Sequence, residues 1–339
     1  MRKCFLLLLL SALMASAQAV ERQRSCFNDA WLMKVGDIRD AAMPLFGDSD
    51  WTSVTLPHAW NEDEAYRVAC AQLSDGVVWY RKHFLLSAVD DRRFFIEFEG
   101  VRFAADVYVN GDLVGTSENG VMAFGFDITP YVKQGENVIA VRTDNDWNYH
   151  ERATGSTYQW NNKNFNANYG GIPKNVWLHT TGLLHQTLPL YSTLGTTGTY
   201  VYATDFDIAR RKAVVHVESQ VCNDDDHERS FRLIAHVLDA DNQLKTTLSG
   251  DCITLQPGEM RSVSIQDEVS GLHFWSWGYG YLYTVKVFLA DAHSLLESHT
   301  LDAQSDEVVV RTGFRKTHFA DGQIWLNDRV IMMHGSSCL

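Results

Sequence analysis

The 339 residues carry 42 acidic and 29 basic side chains, for a formal charge of −13. A chain this acidic lacks the basic face that nucleic-acid binders need. With 45 % hydrophobic residues it can bury sizeable cores, and at ~150 residues per domain its length suggests two domains.

The chain opens on Met1, Arg2 and Lys3, then an apolar run from Cys4 to about Met14, then the small residues Ala15, Ser16, Ala17 and Ala19. A positive start, a short apolar run and a small-x-small site predict a secretory signal peptide over 1–19, cleaved after Ala17 or Ala19. The run falls short of the ~20 apolar residues that cross a bilayer, and no later stretch reaches that length. The expected protein is therefore exported, periplasmic or extracellular, with no membrane partner. Export permits disulfides. Cys26 with Cys70 and Cys222 with Cys252 are the local pairings, with free thiols as the open alternative, and Cys338 makes the mature count odd. No pair has CxxC spacing, so a cysteine zinc site has no support; no metal site and no cofactor is expected.

Strand signals dominate the rest of the chain. Phe94–Glu99, Ala105–Val109 leading into the turn dipeptide Asn110-Gly111, Asn137–Arg142 and Asn175–His179 are short β-branched and aromatic runs bounded by Gly, Asn and Asp. A second set occupies 190–311: Val214–Cys222, Phe231–Leu238, Cys252–Leu255, Ser262–Ile265, Tyr281–Leu289 and Val308–Arg311. About seven short strands over ~120 residues follow the immunoglobulin-like pattern. The Thr- and Gly-rich segment Thr193–Thr199 is the expected junction. Asp224–Asp226 lacks the spaced ligands and the glycine of an EF-hand loop and reads as a solvated turn. After Gly313-Phe314-Arg315-Lys316 comes a hairpin, Ile324–Leu326 against Val330–Met333, whose second strand is apolar enough to want cover on both faces.

Three groups of motifs occur in one order. Trp51-Thr-Ser-Val-Thr-Leu-Pro-His-Ala-Trp60 precedes Gly76-Val-Val-Trp-Tyr-Arg-Lys82; Phe98-Glu-Gly-Val101, Val107–Gly111 and Phe126–Thr129 come next; Asn137–Val141, Gly170-Gly-Ile172 and Val176–Leu178 close the series. Together they resemble the N-terminal sugar-binding part of glycoside hydrolase family 2, the β-galactosidase, β-glucuronidase and β-mannosidase group. The resemblance implies an all-β chain: a jelly-roll, galactose-binding-like β-sandwich over 20–185, an immunoglobulin-like β-sandwich over 190–311, and over 312–339 the stub of a catalytic (β/α)8 barrel. It also implies a retaining exo-glycosidase using two glutamates about 5–5.5 Å apart on later barrel strands. Neither glutamate maps onto a position of this sequence, so the expectation is a non-catalytic portion, inactive alone, with carbohydrate and the missing catalytic domain as partners. The alternatives are a free-standing lectin-like module and a structural or adhesion protein. Two motifs depart from the family pattern: Leu-Pro-His-Asp-Trp is here Leu56-Pro57-His58-Ala59-Trp60, and Gly-Ile-Tyr-Arg is Gly171-Ile172-Pro173-Lys174.

Glu97 and Glu99 share a strand face about 7 Å apart, but Phe94, Ile96 and Phe98 fill the other face, which makes the glutamates the polar side of a half-buried strand. Glu62, Asp63 and Glu64 read as a solvated acidic run, and Ser117 and Ser156 have no triad partner. The function-like stretch is Asp144–Gly170. Its candidate sugar ligands are Trp147, Tyr158, Trp160, Asn164, Asn166, Asn168 and Tyr169, because sugars offer hydroxyls to amides and C–H faces to flat rings. The competing role for Trp147 and Trp160 is packing beneath the loop. By resemblance, this segment shapes the terminal-sugar pocket.

Overall fold

The structure is a computed structural model that describes residues 21–157, 168–291 and 304–332. In chain order the first sandwich comprises β1 (Gln23–Cys26), β2 (Trp31–Val35), β3 (Thr52–Val54), β4 (His58–Ala59), β5 (Val77–Leu86), β6 (Arg92–Phe98), β7 (Ala104–Val109), β8 (Asp112–Ser117), β9 (Phe124–Asp127), β10 (Gly135–Asp144), β11 (Gly171–Ile172) and β12 (Val176–Gly182). A six-stranded sheet, β3-β2-β5-β10-β7-β8, faces a four-stranded one, β1-β12-β6-β9. Strand alternation sends Val78, Tyr80, Val107, Val109, Ile139 and Val141 from the first against Phe94, Ile96, Phe98, Val176 and Leu178 from the second, all buried. Between β7 and β8, Asn110 and Gly111 both have positive φ, 51° and 97°, as a two-residue type I′ hairpin requires.

The outer face of the six-stranded sheet is also covered. Trp51, Trp79, Ala41 and Ala140 pack there beneath the segment that joins β2 to β3. Arg81, fully buried, pins that cover: its Nε donates to Asp48 at 2.8 Å and its Nη1 to the carbonyls of Ala41 and Met43. The carboxylate and the carbonyls meet its Nε and Nη1 donors, which offsets much of the cost of burying a guanidinium, while Nη2 is buried without a hydrogen-bond partner.

The second sandwich comprises β13 (Leu184–Gln186), β14 (Thr199–Asp207), β15 (Lys212–Asn223), β16 (Arg229–Leu238), β17 (Leu244–Leu255), β18 (Met260–Ser270), β19 (Tyr283–Asp291) and β20 (Gln304–Thr312). β15 carries β13, β14 and β18, and the opposing sheet runs β17-β16-β19-β20. Its core is period-2 alternation: Val215, Val217 and Val221 meet Phe231, Leu233, Ala235 and Val237, with Val285, Val287 and Leu289 alongside. β17 extends far beyond the expected Cys252–Leu255. As an edge strand it buries only Leu248 and Leu255, so most of its length carries no alternation to read.

The chain enters the second sandwich at Leu184, directly after β12, so Thr193–Thr199 is not the crossover. Instead, the short helix α1 (Tyr191–Leu194) lies over the first sandwich, where Leu188 and Leu190 pack on Phe95. Ion pairs bind the two sandwiches. Arg93 reaches Asp127 at 2.7 Å and Asp224 at 3.1 Å. Arg22, just ahead of β1, meets Asp306 of β20 at 2.8 Å and donates to the Gln186 carbonyl; Asp306 also accepts from the Gln186 N–H at 2.7 Å.

Beyond the second core, β21 (Thr317–Ala320), β22 (Gln323–Leu326) and β23 (Arg329–Ile331) form an antiparallel meander. Its last turn uses Asn327 and Asp328 at positive φ. The expected hairpin is present, with Val330 and Met332 exposed and Met333 outside the described residues. Neither local disulfide pairing occurs: Cys26, Cys70, Cys222 and Cys252 are all free thiols, and Cys338 lies outside the described residues. Burial pushes the Cys222 thiol up to about 12, so it stays protonated and unreactive. Among the described residues, no helix is long and apolar enough to cross a membrane.

Candidate functional site: a cleft at the loop end of the first sandwich

A short ladder builds the site. β4 pairs with β11, placing Ala59 opposite Gly171 and His58 opposite Ile172, while Arg102 exchanges backbone hydrogen bonds with Gly171 at 3.0 and 3.2 Å. Glycine is required at the crossing. Gly171 has φ 108°, and a Cβ there would lie 2.3 Å from the Tyr80 hydroxyl; a Cβ on Gly170 would lie 2.3 Å from the Trp60 indole nitrogen. The Tyr80 hydroxyl also meets His58 Nδ1 at 3.0 Å. Burial raises the Tyr80 phenol well above its ordinary value and lowers the His58 imidazole, so both are neutral near pH 7.

Three amides lock the loop's ends. Asn61 donates to the carbonyls of Ser74 (2.7 Å) and Asn168 (2.8 Å) and accepts from the Gly170 N–H at 3.1 Å. Asn145 accepts from Trp60 and from the Gly76 N–H and donates to the Asn168 carbonyl at 3.1 Å, and Asn168 donates to the Asn145 carbonyl at 2.6 Å. Amides suit this task because each both donates and accepts. Farther along, the loop is clipped to β7 and β8. Arg152 holds Asp106 through both terminal nitrogens, at 2.9 and 2.7 Å, and Tyr149 donates to Glu118 at 2.5 Å.

This framework borders an open cleft of about 650 Å³. Its walls are Ala59, Glu62, Asp63, Tyr66, Arg102, Gly120, Val121, Tyr169, Pro173 and Lys174. Two acids, two bases and two tyrosines make it a place for a hydroxyl-rich, uncharged or zwitterionic ligand rather than an apolar one. Of the sequence candidates, Tyr169 lines the cleft. Trp147 and Asn168 are buried at 6 % and 0 % exposure and belong to the framework. Tyr158, Trp160, Asn164 and Asn166 lie outside the described residues.

Sequence reasoning passed over Glu62, Asp63, Arg102 and Lys174. The signal was present, however: Ala59, Pro173 and Lys174 are the two motif departures, and the β4–β11 pairing makes them neighbours on one wall. Glu97 and Glu99 lie elsewhere, on the outer face of the four-stranded sheet. Glu97 contacts His179 at 2.7 Å, and Glu99 accepts from Trp177 and Asn175. Burial opposes the charge on Glu97, but His179 and Arg24 outweigh it and hold the carboxyl below the usual range. An ionised glutamate fixed in that network is not placed to donate a proton. Asp224 and Asp225 are likewise engaged, by Arg93 and by Arg229 at 2.7 Å.

Comparison with known proteins identifies the family of the two sandwiches. Residues 57–177 match the family model "Glycosyl hydrolase 2 galactose-binding domain-like", and 199–315 match "Glycosyl hydrolases family 2". A β-glucuronidase of Formosa agariphila is 32 % identical over 93 % of this chain and 32 % of its own length. A β-galactosidase of Bacteroides ovatus is 30 % identical over 97 % of this chain and 37 % of its own. Among solved structures, a family 2 β-glucuronidase superposes with a TM-score of 0.83 at 30 % identity, covering 93 % of this chain and 33 % of that one. The β-glucuronidase of Bacteroides uniformis does so at 0.77 and 26 %, covering 91 % and 34 %. The chain thus spans about a third of the length of the curated relatives it matches.

Proposed function

The chain belongs to glycoside hydrolase family 2, corresponding to an N-terminal portion of its relatives, and from that premise we propose that its two sandwiches are the sugar-recognising and docking part of a β-galactosidase- or β-glucuronidase-like exo-glycosidase. The observation that carries the proposal is the cleft: Tyr169 and the β4–β11 wall stand at the end of the sandwich where the Asp144–Gly170 loop emerges. In this reading, the pair of glutamates that retention requires, about 5–5.5 Å apart, comes from a barrel outside these 339 residues. The chain's own residues contribute one wall of a terminal-sugar pocket. Tyr169 offers a ring face, Glu62 and Asp63 accept from hydroxyls, and Arg102 and Lys174 donate to them. Export to the periplasm or the outside belongs to the same proposal and is supported by the leader-like first nineteen residues.

The test is an NMR titration of the chain with galactose, glucuronic acid and mannose. A half-site of this kind should bind in the millimolar range or weaker, since at the ~0.3 kcal/mol per heavy atom of an ordinary ligand a hexose gains roughly 4 kcal/mol, about the free energy of a millimolar complex. Shifts should fall on Tyr169 and the Asp144–Gly170 segment and shrink in Lys174→Ala. Saturable binding of monosaccharide that bypasses the cleft would contradict the proposal. Aryl β-galactoside and β-glucuronide should show no turnover above buffer with the chain alone.

A further inference from the structure

Between Phe274 and Tyr283 every second residue is aromatic: Trp275, Trp277, Tyr279, Tyr281 and Tyr283. Such alternation would suit a strand, yet Ser276 and Tyr279 exchange backbone hydrogen bonds at 3.0 and 2.9 Å and close a tight turn with Trp277 and Gly278 at its tip. The rings consequently take different roles. Tyr283 is fully buried in the second core, and Trp275 packs against Gly313 and under Arg315. Tyr281 stacks on His273 at 4.6 Å, and Tyr279 stacks on Tyr281 at 5.9 Å. Trp277 and Tyr279 are left 75 % and 47 % exposed. Core packing accounts for the inner three rings; Tyr279 is anchored by its hydroxyl on His273 Nδ1 at 3.0 Å but keeps a ring face in solvent, as does Trp277.

Beside them lies a cavity of about 590 Å³, within the range of small-ligand pockets. It is lined by Asp239 and Asn242 from the β16–β17 turn, Tyr279 and Tyr281, and Thr284 with Arg311, which face each other across β19 and β20. The turn is fixed in place: Asp239 Oδ1 accepts from the Asp241 and Gln243 N–H groups, and the Tyr281 hydroxyl accepts from the Ala240 N–H at 3.3 Å. Among the described residues, the side chains of Asn242, Thr284 and Arg311 make no hydrogen bond or ion pair, and Asp239 keeps its second oxygen unengaged. One exposed ring, Tyr279, thus shares a single space with a carboxylate, an amide, a hydroxyl and a guanidinium, and Trp277 stands next to it at the tip of the turn. One negative and one positive group disfavour an ionic ligand, whereas a vicinal diol can donate to Asp239 and accept from Arg311.

We propose that this end of the immunoglobulin-like sandwich is a second carbohydrate site, which takes a neutral oligosaccharide with a pyranose face against Tyr279, hydroxyls on Asp239, Asn242 and Arg311, and Trp277 flanking it at the tip of the turn. It stands independently of the cleft on the first sandwich, with which it shares no residue. With Tyr279 in its wall and Trp277 beyond it at the turn tip, the site offers successive ring faces to a chain of sugars rather than to a single residue, which places it as an anchor for polymeric substrate.

The test titrates the full chain with cellotetraose and with β-1,4-galactotetraose, followed by the Trp277 indole signal and by calorimetry. Saturable binding of at least one tetrasaccharide is expected, at least tenfold weaker in Tyr279→Ala and in Arg311→Ala and retained in Tyr279→Phe, which keeps the ring. Arg311 is exposed, so Arg311→Ala should leave the thermal midpoint in place and stand as the folding-neutral variant. Lys174→Ala, in the cleft, should leave tetrasaccharide affinity unchanged, so a failure of the cleft reading does not carry over. Absence of saturable binding by either sugar overturns the proposal. So does affinity that is indifferent to Tyr279→Ala and Arg311→Ala. A change in self-association without a change in sugar affinity in Trp277→Ala would reassign the rings to protein docking and overturn it as well.

Discussion

The two sandwiches are of similar architecture but are held together differently. The second rests on alternation: β15 and β16 bury every other residue, nearly all of them aliphatic or aromatic. The loop end of the first rests on polar side chains removed from water, with Asn61, Asn145 and Asn168 each at 2 % exposure or less. An apolar core tolerates imprecision in direction, whereas a buried amide or guanidinium is favourable only when its partners are correctly placed. The difference shows where direction matters at this end of the molecule: the three amides fix the loop's ends, as Asn137, Gln186 and Asn223 fix backbone elsewhere.

Four experiments would break or sharpen that contrast. The largest effect belongs to the second sandwich. Phe314, 2 % exposed, packs into its core although it lies past the last strand. Phe314→Ala should cost about 3–5 kcal/mol, as large-to-small changes of buried aromatics do, read from chemical denaturation. A loss under 1 kcal/mol would show that the core ends at β20.

At the loop end, Asn145→Ala strands the Gly76 N–H and the Trp60 indole. It should cost about 1–3 kcal/mol, with faster amide exchange from Asp144 to Thr157 and unchanged exchange in β15 and β16. Equal acceleration in both sandwiches would dissolve the contrast. Smaller again is the meander. Deleting residues 317–339 removes the Asn327 hydrogen bonds to the Trp275 carbonyl (2.9 Å) and from the Lys316 N–H (3.0 Å). At about 0.5–1.5 kcal/mol per bond it should move the midpoint less than Phe314→Ala does, while solubility improves through loss of an exposed strand edge. A cut at 312 would take Phe314 with it and behave quite differently.

The mildest test is acidity. His58 has its imidazole lowered by burial, so between its folded value and the unfolded ~6.5 the unfolded chain binds more protons, and stability falls as pH drops through that window. Glu97 acts later. Its folded value is depressed, so its contribution is present above the unfolded ~4.3 and is lost as pH falls through the lower folded value. Thermal midpoints should therefore decline first below pH 6.5 and again below about 4. His58→Gln should flatten the first decline, and Glu97→Gln should flatten the second. Parallel slopes in wild type and His58→Gln would remove His58 from the account.

Much of the fold was readable from residues alone, for a physical reason. Val214–Cys222 and Phe231–Leu238 announce themselves because one face is dry and the period is fixed at two, and Asn110-Gly111 because few dipeptides accept two positive φ values. Edge strands were illegible where they had little to bury, as β17 shows. The cleft was only half legible. Tyr169 stood out by composition, and Ala59 with Lys174 by departure from a pattern, but Arg102 and Asp63 are ordinary surface residues until β4 and β11 pair. The amide lock was invisible for the same reason. Asn61 and Asn168 are 107 residues apart, and no local rule joins them.

Arg22 and Asp306 are 284 positions apart, and their contact closes almost the whole chain into a ring. The arm that carries Arg22 is synthesised first, yet its carboxylate partner emerges only when both sandwiches have been made. For most of synthesis the arm must therefore wait with its guanidinium in water, and β1 can settle on β12 without the tether that finally sets its position. Contacts of such span form late and slowly. The Arg22–Asp306 tether is accordingly a last act of assembly, added to a junction that Arg93 on Asp224 and Leu188 with Leu190 on Phe95 can hold before residue 306 is made.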